Sequence, residues 1–445
     1  MSTCVILAAG KGTRMRSPLP KVLHPLGGRT LINHVIAAVS IMDPDPIIVT
    51  GSQADLVEAD IKKSHQGCHF VRQEPQLGTG HAVAQALNHI PNDDSPVLIL
   101  FGDTPLINTK TLENLVSLVS KETPLAVLTF TPDDAGRYGR VIIQDGAVER
   151  IREAKDATQE ELACQLCNAG VMAATGRILH DLLPLLSDQN AAGEYYLTDL
   201  VALVRSKKLK VGFASAEAYE VAGVNAQMEL AVLEAYYQQM RRKELMDQGV
   251  CMPHPETVFV SYDTSLAPGT LVESHCVFAS GVKAVGPVHI RAFSHLEGVQ
   301  LQAGCVVGPY ARIRPGSELD KDVRIGNFVE VKKTKVSSGA KINHLSYIGD
   351  ASIGAKANIG AGTITCNYDG YQKYQTVIGE QAFIGSNTLL IAPVNVGARA
   401  YTGSGTVVGQ DVPEGALAVT RAQWKLREGW SEAFQQRKSH KGDDV

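Results

Sequence analysis

Two groups of residues in this chain could do chemistry on phosphates. The first is Leu7-Ala8-Ala9-Gly10-Lys11-Gly12-Thr13-Arg14-Met15, with Pro20-Lys21 close behind. Glycines let a backbone approach phosphate oxygens, and successive N–H groups can cradle an anion. The pattern is not G-x-x-x-x-G-K-[ST], and Met15 stands where a dinucleotide fingerprint has its third glycine. A bare glycine loop also reads as a tight strand-to-helix turn. Arg14 and Lys21 favour the phosphate reading, because nucleotidyl transfer builds charge on the leaving phosphates. Phe101-Gly102-Asp103 closes another apolar run. Asp103 there either holds a hard cation such as Mg²⁺ or only starts a turn before Pro105. Asn225 either N-caps a helix or offers a carbonyl oxygen to the same ion.

The second group lies downstream. Arg314 and Lys332 are two cations able to clamp a sugar phosphate. His344 and Tyr347 follow, and a histidine can take a proton from an amine near neutral pH. Taken singly, each reads as a solvated coil residue.

These groups need elements to position them. Val5-Ile6-Leu7, Ile47-Ile48-Val49 and Val97-Leu98-Ile99-Leu100-Phe101 are near-continuous apolar runs, as in a parallel sheet buried on both faces. Segments such as 30–40 are apolar at helical spacing. The alternation predicts a Rossmann-like, doubly wound α/β domain over 1–225, with ligands at the carboxyl ends of the strands. Residues 226–248 read as one linker helix, with Met228, Ala231, Ala235 and Tyr236 at helical spacing and Gly249 as its stop. Over 249–445 the period becomes six: Leu301, Val307, Ile313, Leu319, Ile325, Val331, then Val336, Ile342, Ile348 and, after a slip, Ile353 and Ile359. Ile378, Ile384, Leu390 and Val396 continue it, with Thr402 and Val408 in register. Sustained hexads predict a parallel β-helix, here of the left-handed, hexapeptide-repeat kind. Residues 366–376 break the repeat and read as a projecting loop. Residues 430–445 read as a polar, frayed tail.

Composition closes off other classes. The net charge of −4 gives no general attraction to nucleic acid or to acidic membranes. No apolar stretch approaches the ~20 residues needed to span a bilayer, and no charged leader precedes the first apolar run, so a signal peptide is not expected. Eight scattered cysteines make no disulfide framework and suit a reducing cytoplasm. Cys164-x-x-Cys167 lacks the second ligand pair that zinc would want, and reads as two small core residues.

The pattern L-x-x-G-x-G-T-x-M-x4-P-K resembles that of sugar-phosphate nucleotidyltransferases. Further matches are Gln73-x4-Gly78-Thr79-Gly80, Gly102-Asp103, Tyr138-Gly139-Arg140, Glu153, Asn168-Ala169-Gly170, Glu194-Tyr195-Tyr196 and Gly223-Val224-Asn225. With these the first half looks like the uridylyltransferase half of the bifunctional N-acetylglucosamine-1-phosphate uridylyltransferase/glucosamine-1-phosphate N-acetyltransferase family. Arg312-Ile313-Arg314-Pro315-Gly316, 327–333, 344–350, 358–363 and Thr365-Cys366-Asn367-Tyr368-Asp369-Gly370 look like its acetyltransferase half. The resemblance runs from about Thr3 to Trp430.

It implies the following assignments. Leu7, Ala8, Ala9, Gly10 and Lys21 contact nucleotide and phosphates, with Arg14 and Lys21 acting on the transferred group. Gln73, Gly78 and Thr79 hold the uracil; Phe101 and Gly102 border the same site. Gly139, Glu153 and Asn168 hold the sugar, and Asp103 with Asn225 ligates Mg²⁺. Arg314, Lys332, Tyr347 and Asn358 bind glucosamine 1-phosphate, with His344 as general base. Ala361, Asn367, Tyr368, Ser386, Ser404 and Arg421 line the acetyl-CoA site. The family departs here at Phe101, where Tyr often stands, so one hydroxyl contact is lost while ring packing can remain.

The activity implied is acetylation of glucosamine 1-phosphate by acetyl-CoA. Transfer of UMP from UTP to N-acetylglucosamine 1-phosphate follows, in a cytoplasmic homotrimer that supplies precursor for peptidoglycan and lipopolysaccharide. Two rival readings are a single-activity sugar-1-phosphate nucleotidyltransferase with a structural β-helix, and a non-catalytic nucleotidyltransferase-like subunit.

Overall fold

The computed structural model describes residues 2–439, with side chains as far as Arg437. It divides into two compact units, Met1–Arg241 and Arg242–Val445.

The first unit is built on a sheet whose order is Val211–Ser215, Leu125–Phe130, Cys167–Thr175, Pro96–Phe101, Thr3–Ala8, Ile47–Thr50, His69–Arg72. The apolar runs read from the sequence are its central strands, with Val5, Ile6, Val97, Leu98 and Ile99 wholly buried. Helices such as Leu31–Val39 cover it, turning Leu31, Ile32, Val35, Ile36 and Val39 inward. Thr3–Ala8 pairs in parallel with both Ile47–Thr50 and Pro96–Phe101. The chain thus leaves the first strand toward one side and later returns on the other. The crevice between Thr3–Ala8 and Pro96–Phe101 is the switch point where open α/β sheets bind ligands. The sheet is not wholly parallel. Cys167–Thr175 runs antiparallel to both neighbours, with a register break between Asn168 and Met172. A hairpin, Arg140–Gln144 with Ala147–Arg152, extends from that strand.

The helix Gln227–Asp247 carries the division between the two units. Its buried side differs from the expected stripe. Met228 is 75% exposed, whereas Leu233, Tyr237 and Leu245 are buried. Gly27 explains part of this: a Cβ there would lie 2.1 Å from the Tyr237 ring.

The second unit is a left-handed parallel β-helix with three faces of nine, eight and nine short strands. Every apolar hexad position from Leu301 to Val408 named above is buried, Thr402 included. Within 249–445 the same period already runs through Val260, Leu266, Val272, Phe278, Ala284, Ile290 and Leu296, all buried. Lys341 pairs with Asn358 on the next coil, but Asn358 pairs with Phe383. The extra residues form the projecting loop, pinned by an isolated bridge between Tyr368 and Lys373. Residues 430–439 are helical rather than frayed, and 440–445 lie outside the described residues. Among the described residues no helix is long and apolar enough to cross a membrane.

Ile342 is fully buried and stacks between Ile325 and Ile359. Ile342→Ala should destabilise the second unit by about 2–5 kcal/mol, through lost transfer energy and a cavity. Lys341→Ala, on the outward neighbour, should stay within about 0.5 kcal/mol. Urea unfolding of the two variants distinguishes a stacked core from a surface ladder.

Candidate functional site

In the first unit the crevice opens into two compartments that share Thr79, Phe101, Asp103, Glu194 and Asn225. One, of about 500 Å³, is walled by Leu7, Ala8, Ala9, Gly10, Lys21, Gln73 and Gly78. The other, of about 340 Å³, is walled by Gly139, Glu153, Asn168, Gly170 and Thr198. Gly10 faces open space: a Cβ there would meet nothing within 4 Å. Its glycine is therefore not required by the protein's own packing, and the room lies toward the cavity. Gly78 is different. With φ at +113° and a Cβ position 2.7 Å from the Tyr195 carbonyl, it admits no side chain.

Lys21 opens a short 3₁₀ turn anchored by the buried Val22 and Leu23. Its ammonium forms an ion pair with Asp103 and donates to Asn225 Oδ1 at 3.2 Å. Arg14 Nη2 donates to the same Asn225 oxygen at 2.9 Å. Arg14 lies at the rim, outside both walls, and Gly102 lies behind them, packed on Ile32. Asn225 does not cap the helix, which begins two residues later; its side chain turns to the cations. Two hard oxygen donors thus converge on one cationic centre at the boundary of the compartments.

In the second compartment Glu153 Oε1 accepts from Thr198 Oγ1 at 3.1 Å. Burial pushes the Glu153 carboxyl above the ordinary range, and Asp156 and Asp199 push the same way against the Thr198 bond. Asn168 Oδ1 accepts from Gly170 N, which leaves its Nδ2 to a ligand. The Phe101 ring packs on Gly170, where a Cβ would lie 2.4 Å away. The ring packing survives the missing hydroxyl.

In the second unit the catalytic candidates stand on successive coils. Asn327 and His344 are register neighbours, and His344 Nδ1 lies 2.8 Å from Asn327 Oδ1. Ala361 accepts from Asn387 N through its carbonyl, and Ser386 accepts from Gly405 N, so Ala361, Ser386 and Ser404 continue one corner column. Arg314 Nη1 donates to Glu330 Oε1 at 2.9 Å. Glu330 and Lys332 pair in register with Tyr347 and Gly349. A Cβ on Gly349 would meet the Tyr347 hydroxyl at 2.5 Å and Asn367 Nδ2 at 3.0 Å. Asn367 is buried and donates to Asp350 Oδ2, so it braces the loop rather than standing open. Tyr368 is exposed, bonded to the Gly370 carbonyl. Arg421 lies beyond the last strand on an exposed stretch. Asn358 pairs with Lys341 on the coil before it.

Residues 4–170 match the MobA-like NTP transferase domain. Over its full length the chain is similar to the "bifunctional protein GlmU" of Zymomonas mobilis, 45% identical, covering 99% of this chain and 98% of that one. The protein of the same name from Azorhizobium caulinodans is 48% identical, covering 97% and 96%. The chain belongs to the bifunctional protein GlmU family. It is a transferase with a uridylyltransferase and an acetyltransferase activity. Among solved structures it is similar to a UDP-glucose pyrophosphorylase complexed with UDP-glucose, at 21% identity and a TM-score of 0.45, covering 54% of this chain and 100% of that one.

The GlmU-family chain also holds residues that sequence reading passed over. Lys373, on the projecting loop, lies beside Lys332, and that neighbouring ammonium lowers its pKa. Thr198 holds Glu153, His81 backs Gln73, and Asn327, matched in a motif but given no role, orients His344. None repeats a period, and a lone polar residue on a helix or loop carries no signal until its partner is known. Cys167 is buried in its strand, while Cys164 donates to the Val141 carbonyl.

Because folding raises the Glu153 pKa, stability falls as pH climbs from the ordinary carboxylate range through that raised value. Glu153→Gln should therefore raise the thermal midpoint at neutral pH, most at alkaline pH and least at acid pH. It should also weaken kcat/KM for the sugar phosphate by about tenfold. A calorimetric pH series with a lower midpoint throughout would show that the carboxylate is stabilising.

Proposed function

We propose that the chain builds UDP-N-acetylglucosamine in two transfers, one in each unit. The observation that carries this reading is the convergence of Lys21, Asp103 and Asn225 between two compartments. One compartment is sized and lined for a nucleotide, the other for a sugar. Leu7 to Gly10 border the UTP phosphates, and Gln73, Gly78 and Thr79 the uracil. Gly139, Glu153 and Asn168 take the hydroxyl and amide groups of N-acetylglucosamine 1-phosphate. A sugar-phosphate oxygen attacks the α-phosphorus of UTP, and pyrophosphate leaves with the bonding pair. Lys21 and Arg14 supply the positive charge that meets this build-up. Asp103 and Asn225 fit Mg²⁺: both offer oxygen, and both already face a cation, the Lys21 ammonium. Mg²⁺ bound there would neutralise phosphate charge as a Lewis acid.

The second unit is proposed to acetylate glucosamine 1-phosphate. Arg314 and Lys332, with Lys373 beside it, hold the phosphate; Tyr347 and Asn358 border the sugar. Asn327 Oδ1 accepts from His344 Nδ1, so the His344 Nε2 lone pair is free. It takes a proton from the substrate amine as the nitrogen attacks the thioester carbonyl carbon of acetyl-CoA, and the CoA thiolate leaves. Ala361, Asn367, Tyr368, Ser386, Ser404 and Arg421 are assigned to acetyl-CoA. A homotrimer is proposed to complete this open site. In support, His275, Phe293, Tyr310 and Phe328 stack along one corner, each with φ between 55° and 59°. Phe293, Tyr310 and Phe328 leave their rings about half exposed. Bulky residues in left-handed conformation cost energy, which burial against a second copy would offset. The cysteines are all free, which supports a cytoplasmic setting.

Mass analysis of products from glucosamine 1-phosphate, acetyl-CoA, UTP and Mg²⁺ tests both halves together. UDP-N-acetylglucosamine is the expected product. His344→Ala should slow acetyl transfer by about 10²–10⁴-fold and leave uridylyl transfer to preformed N-acetylglucosamine 1-phosphate intact. Asp103→Asn should do the reverse. Undiminished acetyl transfer by His344→Ala would remove the assigned base, and undiminished uridylyl transfer by Asp103→Asn would remove the metal assignment.

A further inference from the structure

Gln73 is 3% exposed and is held from behind the pocket wall. Its Nε2 donates to the Gly78 carbonyl at 2.9 Å and lies 3.1 Å from His81 Nδ1. A carbonyl oxygen only accepts, so the end of the amide facing Gly78 is the nitrogen. Its second N–H then points at Nδ1, which has to accept. The His81 proton is therefore on Nε2. Gln85 stands 3.2 Å from that nitrogen. Its Nε2 end also donates to the His81 carbonyl at 3.3 Å; turning the amide gives up that long bond and brings its oxygen to the ring N–H.

The ring itself is fixed in place. His81 lies on the helix Thr79–Gln85, tilted 33° to the Tyr195 ring at 6.3 Å. The backbone around Tyr195 is tied down, Gly80 N donating to the Tyr195 carbonyl and Tyr195 N to that of Leu77, each at 2.8 Å.

Both Gln73 N–H groups are consumed in this way. Only Oε1 is left to meet a ligand, and among the described residues no donor is bonded to it. A side chain that shows an acceptor alone selects a base edge carrying an imide N–H at that contact. Uracil offers N3–H there. Cytosine in the same pose brings the N3 lone pair against Oε1, leaving two acceptors face to face. A 5-methyl group would not be read by this contact.

We propose that His81, which does not itself line the cavity, is a positioning residue for base selection: through Nδ1 it locks the Gln73 amide so that Oε1 reads uracil N3–H and rejects cytosine. This rests on the uridylyl-transfer reading above.

The test uses the full chain and two substitutions that separate ring from acceptor. His81→Phe keeps a ring beside Tyr195 and removes the acceptor. His81→Asn gives up the ring and can place Oδ1 where Nδ1 stood. Steady-state kcat and KM are measured for UTP and for CTP, with N-acetylglucosamine 1-phosphate as the second substrate. His81→Phe should raise KM for UTP about tenfold and shrink the UTP-to-CTP ratio of kcat/KM about tenfold, with kcat at saturating UTP within about twofold. His81→Asn should recover most of the ratio. An unchanged ratio in His81→Phe overturns the proposal, as does His81→Asn losing as much discrimination as His81→Phe. If His81→Phe does not fold, the ratio in His81→Asn decides. Failure of the unsubstituted protein to use UTP would sink the uridylyl-transfer reading itself, a result distinct from either of these.

Discussion

A single backbone hydrogen bond organises the first unit: Gly102 N–H donates to the Leu7 carbonyl at 2.9 Å. It extends the parallel pairing of Leu7 with Phe101 past the end of Pro96–Phe101. Parallel neighbours bring like ends together, so the glycine loop after one strand and Asp103 after the other emerge side by side. At Gly102 the strand end packs closely on a side chain of the covering helix. A Cβ at Gly102 would lie 2.6 Å from Ile32 Cδ1 and 3.4 Å from Val22 Cγ1. Val22, in ordinary contact with that position, adjoins Lys21, whose ammonium reaches Asp103.

The second unit repeats the same constraint around three faces. Each coil pairs in parallel with the next, so a given corner recurs once per coil and side chains fall into columns. Asn327 and His344 occupy one such column, and the Ala361, Ser386 and Ser404 corners extend it. Glycine at the tightest crossings lets polar groups meet where a side chain would wedge them apart. Gly349 brings the Tyr347 hydroxyl near Asn367, and Gly326 lies against the Asn343 backbone, where a Cβ would be 1.9 Å from its carbonyl oxygen. The inserted loop interrupts the column without breaking the ladder, because Asn358 still finds Phe383.

Much of this was legible from the residues. The hexads pointed to the solenoid because few folds place a buried residue at every sixth position, and the coils from Val260 onward keep the same spacing. Apolar runs marked the central strands but not their direction: Cys167–Thr175 is buried on both faces, and buried strands read alike whether parallel or antiparallel. The helix Gln227–Asp247 misled because its apolar residues do not form one stripe. Leu233 and Tyr237 pack in the first unit and Leu245 in the core of the second, while Met228 and Val232 are exposed. Lys21, Asp103 and Asn225 could be named one by one from their motifs, but their convergence joins residues far apart in the chain. His81 and Lys373 had no signal at all, since each acquires meaning only from the group it faces.

That convergence also has an electrostatic logic. Lys21 and Asp103 are both largely shielded, and a shielded charge is costly unless paired. Without phosphate present, the lysine is paired by the carboxylate and both cations are bonded by Asn225. A triphosphate entering the proposed site can replace Asp103 as the partner of Lys21, and the released carboxylate is then a hard-oxygen group in need of a cation of its own. Binding of the nucleotide and binding of a divalent ion would then be linked, each relieving the charge the other exposes. Such an exchange would keep desolvation costs low and leave Lys21 to follow charge onto the leaving phosphates.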